Sequence, residues 1–154
     1  MEPPTLIDGG VLPAGIHELT GDQVREMFVL SDARNDLWGR FDKFLDRLKD
    51  TVPIPVTIYL DGSFITCWDS CCDIDVIVEA REFGGENRHF LKMLTDLQVR
   101  AEFKEDFKVL IHVVVPGLFS KDYRQWFQRV KADDVWRFGG DPERLRKGIV
   151  RLVL

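Results

Sequence analysis

At 154 residues the chain fits one domain with room for a real hydrophobic core. Its 45% hydrophobic and 31% charged residues exclude a disordered class, and a formal net charge of −5 argues against a general polyanion binder. No apolar run approaches bilayer length and the opening MEPPTLIDGG carries no basic leader region, so a soluble, cytoplasmic protein with no membrane partner is expected.

Residues 1–19 read as an extended N-terminal arm. Pro3, Pro4, Gly9, Gly10, Pro13 and Gly15 punctuate it, while Leu6, Ile7, Val11, Leu12 and Ile16 would hold it against the domain. Thr20 is placed to cap a short helix through Phe28. Ser31 and Asp32 offer a second cap, and a long helix to about Lys49 follows from the three- and four-residue spacing of Leu37, Phe41, Phe44, Leu45 and Leu48. Pro53 and Pro55 close it.

The pattern then turns to strand. Val56 to Leu60 is β-branched and aromatic and ends at Asp61-Gly62; after a segment with room for a helical turn or two, Ile74 to Val78 forms a second strand. Gly84-Gly85 precedes a predicted helix from about Glu86 to Arg100, with Phe90, Met93, Leu94 and Leu97 inward. Val109 to Val115 is a third strand, Lys121 to Lys131 a helix with Tyr123, Trp126, Phe127 and Val130 on one side, and Ile149 to Leu154 a last strand. The order predicts a single mixed α/β or α+β domain spanning 1–154, a small sheet flanked by helices, with residues 56–115 as its motif-bearing core.

Three cysteines, Cys67, Cys71 and Cys72, fall within six residues. Their spacing matches no zinc module, and an odd, close-set number makes a poor disulfide framework, so free thiols in a reducing compartment are expected. Arg144, Arg146, Lys147 and Arg151 form a local basic group, read as a solvated face or as a rim for a nucleotide or RNA.

The residues with chemical potential lie between Gly62 and Asp75. A strand that ends in Gly62-Ser63 and turns toward a helix offers backbone N–H groups and a hydroxyl to an anionic ligand such as a triphosphate. Asp73 and Asp75, two apart at the start of a strand, share a face while Ile74 enters the core. Two like charges so close favour a divalent cation between them, and carboxylate oxygens suit Mg2+ or Mn2+.

Gly-Ser, nine intervening residues, then Asp-Ile-Asp running into Val76-Ile77-Val78 resembles the signature of the nucleotidyltransferase fold of the DNA polymerase beta superfamily. That resemblance implies a polymerase beta-type fold, Gly62 and Ser63 as nucleotide-binding residues, and Asp73 and Asp75 as catalytic ligands of two magnesium ions. It covers roughly Val56 to Val115, and the length suits minimal members, many of them toxin–antitoxin or phage-defence components. Leu12-Pro13-Ala14-Gly15-Ile16-His17, Tyr59 to Phe64 and Lys147-Gly148-Ile149-Val150 look like a small bacterial and phage family within that superfamily.

The superfamily pattern has a third carboxylate on a later strand. Here the strand from Lys108 to Val115 carries His112 at the matching polar position and no acid. His112 is either a neutral ligand or general base, since imidazoles titrate near neutrality, or a core histidine. Glu79 is a third candidate, and Asp61 is expected to tie down the loop rather than to assist a metal. His17 and His89 are expected in surface or capping roles; Trp126, Phe127, Trp136 and Phe138 are read first as core and second as base-stacking groups. The resemblance therefore implies an enzyme that passes a nucleotidyl group from a nucleoside triphosphate to a protein or RNA hydroxyl. The alternative is a catalytically silent binding module, an antitoxin-like partner of a cognate toxin or a nucleotide sensor.

Overall fold

A computed structural model describes residues 2–51, 56–79, 94–114, 123–138 and 146–154. A mixed five-stranded sheet organises them, with strands β1 (Ile16–Thr20), β2 (Thr57–Asp61), β3 (Ile74–Glu79), β4 (Val109–Val114) and β5 (Ile149–Val153). Their order across the sheet is β1-β5-β2-β3-β4. The outer pairs β1·β5 and β3·β4 are parallel, and β2 is antiparallel to both of its neighbours. The expected α+β architecture is the one observed.

Helices α1 (Gly21–Phe28), α2 (Asp32–Thr51) and α3 (Leu97–Phe107) join the sheet, with a shorter α4 (Tyr123–Phe127) and a 3-10 helix over Ala132–Phe138. Every second strand residue — Ile58, Leu60, Val76, Val78, Ile111 and Val150 among them — packs into one core with Phe28, Leu37, Phe41, Phe44 and Leu48. The α2 stripe is the predicted one with Trp38 added: Trp38 stacks on Phe64 at 6.0 Å and 9°, which ties α2 to the turn after β2. The alternate strand residues face the other way, where Tyr59, Ile77, Val114, Phe127 and Ile149 form a smaller cluster.

The cap at Thr20 is reciprocal. Its hydroxyl accepts from the Gln23 N–H at 3.3 Å, and the Gln23 side chain accepts from the Thr20 N–H at 2.9 Å. Thr20→Ala is expected to cost about 1 kcal/mol, read as a lower urea midpoint at unchanged m-value; an unshifted midpoint would show the cap to be idle.

Several expectations need correction. The arm is irregular only to Gly15, because Ile16–Thr20 is a sheet strand paired with β5. Residues 80–93, which include Phe90, Met93 and His89, lie outside the described residues. Beyond them Leu94 and Thr95 are helical and Leu94 is buried, as expected. The chain breaks at Asp96, which caps α3 through bonds from the Gln98 and Val99 N–H groups, and α3 runs past Arg100 to Phe107. Leu97, the first residue of α3, is 80% exposed, not inward. Among the described residues, α4 stops at Phe127. Past it the chain bonds instead to the segment before β5, with an Arg129–Arg146 bridge and a Lys147 N–H donating to the Gln128 carbonyl at 2.8 Å. Trp126 accordingly stands 55% exposed, whereas Phe127 and Phe138 are core. The segment after Gly62 holds one 3-10 turn, Ser63–Ile65. No helix among the described residues is long and apolar enough to cross a membrane.

Candidate functional site

The face of the sheet away from the long helices carries the polar residues. Asp61 on β2 and Asp75 on β3 are register partners, and Ile77, two residues on, is paired with Tyr59 on one side and His112 on the other. Parity therefore sends Asp61, Asp75 and His112 to one face. All five residues expected in the site, Gly62, Ser63, Asp73, Asp75 and His112, line a single cavity of about 500 Å³.

Gly62 makes the approach of loop to strand possible. Its φ of 79° and ψ of −165° fall in a region open essentially to glycine. A Cβ at Gly62 would collide with the Asp75 carboxylate, so the turn and the acid are packed directly against each other. The other Asp75 oxygen faces His112, with Nε2 to Oδ1 at 3.7 Å, long for a hydrogen bond but within ion-pair reach. The His112 ring lies 5.1 Å from the Phe127 ring and is partly exposed. It is thus neither a sealed core histidine nor remote from the acid pair.

Asp73 precedes β3 rather than lying within it, and still reaches the cavity wall. Its carbonyl accepts from the Cys71 thiol at 3.4 Å. Burial pushes that thiol up from its ordinary value, while a hydrogen bond with Ser63 and the nearby Arg34 charge oppose the rise. Cys67 and Cys72 are exposed, and all three thiols are free.

Glu79 does not serve as the third acid. Four residues past Asp75, it lies about 13 Å away along an extended strand, and it accepts from the Tyr59 hydroxyl at 3.1 Å. Asp61, expected to fasten the loop, instead pairs with the Lys147 ammonium. Lys147 is only 7% exposed and lines the cavity, so of the two readings of the basic group the solvated face does not hold for it. Its neighbour Gly148 cannot carry a Cβ without meeting the Pro13 carbonyl and the His17 ring, so the Lys147 backbone is held close to the arm. Of the rest of that basic group, Arg151 pairs with Glu18 at 2.7 Å, Arg146 is exposed, and Arg144 lies outside the described residues.

Arg34 was missed altogether. It is 5% exposed, and its guanidinium donates to four carbonyls: Phe28 at 3.0 Å, Phe64 at 2.6 Å, Ser63 at 3.2 Å and Trp68 at 2.6 Å. It thereby fixes the loop that carries Ser63 to the helical layer. Trp68 is pinned again by its indole N–H, which donates to the Gly9 carbonyl at 2.6 Å.

The donor set decides whether a metal suits this cavity. Among the described residues no group of three or more His, Cys, Asp or Glu side chains is placed to hold one. Asp61 is engaged by Lys147 and Asp134 by Arg137, which leaves Asp73 and Asp75. Two carboxylates fall short of a protein cage but fit magnesium, which is commonly bound through one or two carboxylates with substrate phosphates and water completing its shell. The cavity lining thus mixes charge: Asp73 and Asp75 at the start of β3, the Lys147–Asp61 pair, and Arg129, Lys131 and Asp134 from the segment after α4.

Comparison with curated proteins and with solved structures found no match to the chain. A family profile does match, over residues 4–153, and by that match the chain belongs to the family of unknown function DUF6932.

Proposed function

We propose that this chain is a metal-dependent nucleotidyltransferase of the DNA polymerase beta type, acting on a nucleoside triphosphate and a hydroxyl of a protein or RNA in the cytoplasm. One observation supports the reading: Gly62, Ser63, Asp73, Asp75 and His112, the residues that the superfamily resemblance singles out, line the same cavity. In this reading Gly62 and Ser63 receive the phosphates, while Asp73 and Asp75 hold magnesium. When bound, that ion supplies neutralisation of phosphate charge. Lys147, held beside Asp61, adds a positive charge to the same cavity. The acceptor oxygen attacks the α-phosphorus, the bond from that phosphorus to the bridging oxygen breaks, and pyrophosphate departs with the electron pair. The hydroxyl proton passes to His112, whose ring stands beside Asp75.

The test is transfer of α-labelled nucleotide, with each of the four nucleoside triphosphates and Mg2+, to the protein itself, to candidate partner proteins and to RNA. Asp73→Asn with Asp75→Asn is expected to lower transfer at least about a hundredfold with the fold intact by circular dichroism. Equal labelling by the double variant would sink the proposal.

A second reading has its own observation: β4 sets an imidazole rather than a carboxylate opposite Asp75. It describes a catalytically silent binding module, a nucleotide sensor or an antitoxin-like partner of a toxin. Tight nucleotide binding without turnover would favour the sensor, and neither binding nor turnover the protein partner.

A further inference from the structure

The cavity contains an indole that the catalytic reading leaves unused. Trp126 is 55% exposed although it lines a concave site, and among the described residues its one ring partner is Phe127. The next residue, Phe127, enters the small core cluster and holds Trp126 edge-on, with ring centroids 5.0 Å apart at 89°. Phe127 in turn lies 5.1 Å from His112, so a chain of three rings links Asp75 to an exposed indole.

The other tryptophans are committed elsewhere. Trp38 is buried on Phe64. Trp68 lines the cavity but is bonded to Gly9 and covered by the Arg137 guanidinium at 4.3 Å. Trp136 is exposed, carries Arg137 at 4.7 Å and does not line the cavity. Arg129, three residues past Trp126, adds an exposed cation to the same lining. A flat aromatic ligand with an anionic tail suits an indole platform beside cations, and a nucleotide has both parts.

We propose that Trp126 is the platform on which the base of the bound nucleotide stacks. This rests on the nucleotidyltransferase reading in one respect, that the cavity takes a nucleoside triphosphate. Stacking of this kind discriminates weakly between bases, because every base has a π-face. Selectivity among the four would then come from groups other than Trp126.

Calorimetric titration of the wild type, Trp126→Ala and Trp126→Phe with each nucleoside triphosphate and with inorganic triphosphate, all in Mg2+, tests it. The nucleotides are expected to bind the wild type about tenfold or more tighter than inorganic triphosphate. Trp126→Ala should erase that margin without changing the affinity for inorganic triphosphate, and Trp126→Phe should keep most of it. Should the alanine variant fold poorly, Trp126→Leu is titrated in its place with the same expectation. Equal binding of nucleotide and inorganic triphosphate by the wild type, or equal weakening of both by Trp126→Ala or Trp126→Leu, overturns the platform alone. Failure of every probe to bind the wild type removes the nucleotide reading and the platform with it.

Discussion

Arg34→Met is expected to lower the unfolding free energy by about 3 kcal/mol or more, the largest single-residue effect anticipated in this chain. The guanidinium gives four hydrogen bonds to carbonyls of Phe28, Ser63, Phe64 and Trp68. Bonds to a charged donor contribute roughly 1.5–3 kcal/mol each, and they do not add. Methionine matches much of the volume but leaves the carbonyls to find water by opening the loop. Against a usual domain stability of about 5–15 kcal/mol, that is a large fraction. Arg34→Lys should rescue little, since three donors on a point charge cannot reproduce the fork. Urea unfolding decides the matter, and a loss below about 1 kcal/mol would show that the loop holds without this residue.

Gly62→Ala comes second, with an expected cost of about 2–4 kcal/mol. Backbone strain accounts for roughly 1–3 kcal/mol of this, because φ of 79° with ψ of −165° is hostile to any Cβ. The remainder is the collision with the Asp75 carboxylate. The two contributions separate in a double-mutant cycle: in an Asp75→Ala background the same substitution should cost the strain alone, giving a coupling of about 1 kcal/mol. Strict additivity would mean that the turn and the acid do not touch. Under the proposed function, Gly62→Ala should also lose nucleotidyl transfer even where it remains folded, since relief of the collision must move the turn or Asp75.

The site was legible in sequence where its parts are local or fixed by parity. Gly62, Ser63, Asp73 and Asp75 lie within fourteen positions of one another, and a strand–turn–strand unit leaves few ways to arrange them. His112 followed because side chains alternate along β4. Lys147 and Arg34 were not legible, since each acts across a distance that periodicity does not encode. Arg34 bonds carbonyls 29 to 34 residues away in the turn after β2, and Lys147 reaches an acid 86 residues earlier. Read locally, each is an ordinary basic residue among charged neighbours.

The fold divides in the same way. Strands β2, β3, β4 and β5 bury at least half their length and announce themselves by β-branched runs. In β1 only Leu19 is buried, so the edge strand has no period-two signal and reads as part of the arm. In α3 no residue is fully buried, so its limits are set by the Asp96 cap and the left-handed Lys108 rather than by an apolar stripe.

The pairing of β1 with β5 has a kinetic consequence. Glu18 and Arg151 meet across 133 residues of chain, and the strands that carry them run parallel. Contacts of that separation form slowly, because the entropy of closing so long a loop is lost before the contacts return anything. The cavity inherits the delay, since Lys147 lies just before β5 and reaches Asp61 only once that strand has docked. Until then Asp61 and Asp75 face each other on adjacent strands without their cation. A refolding chain should therefore build its helical layer first and complete its charge balance last, with rising salt shortening the interval by screening the two acids.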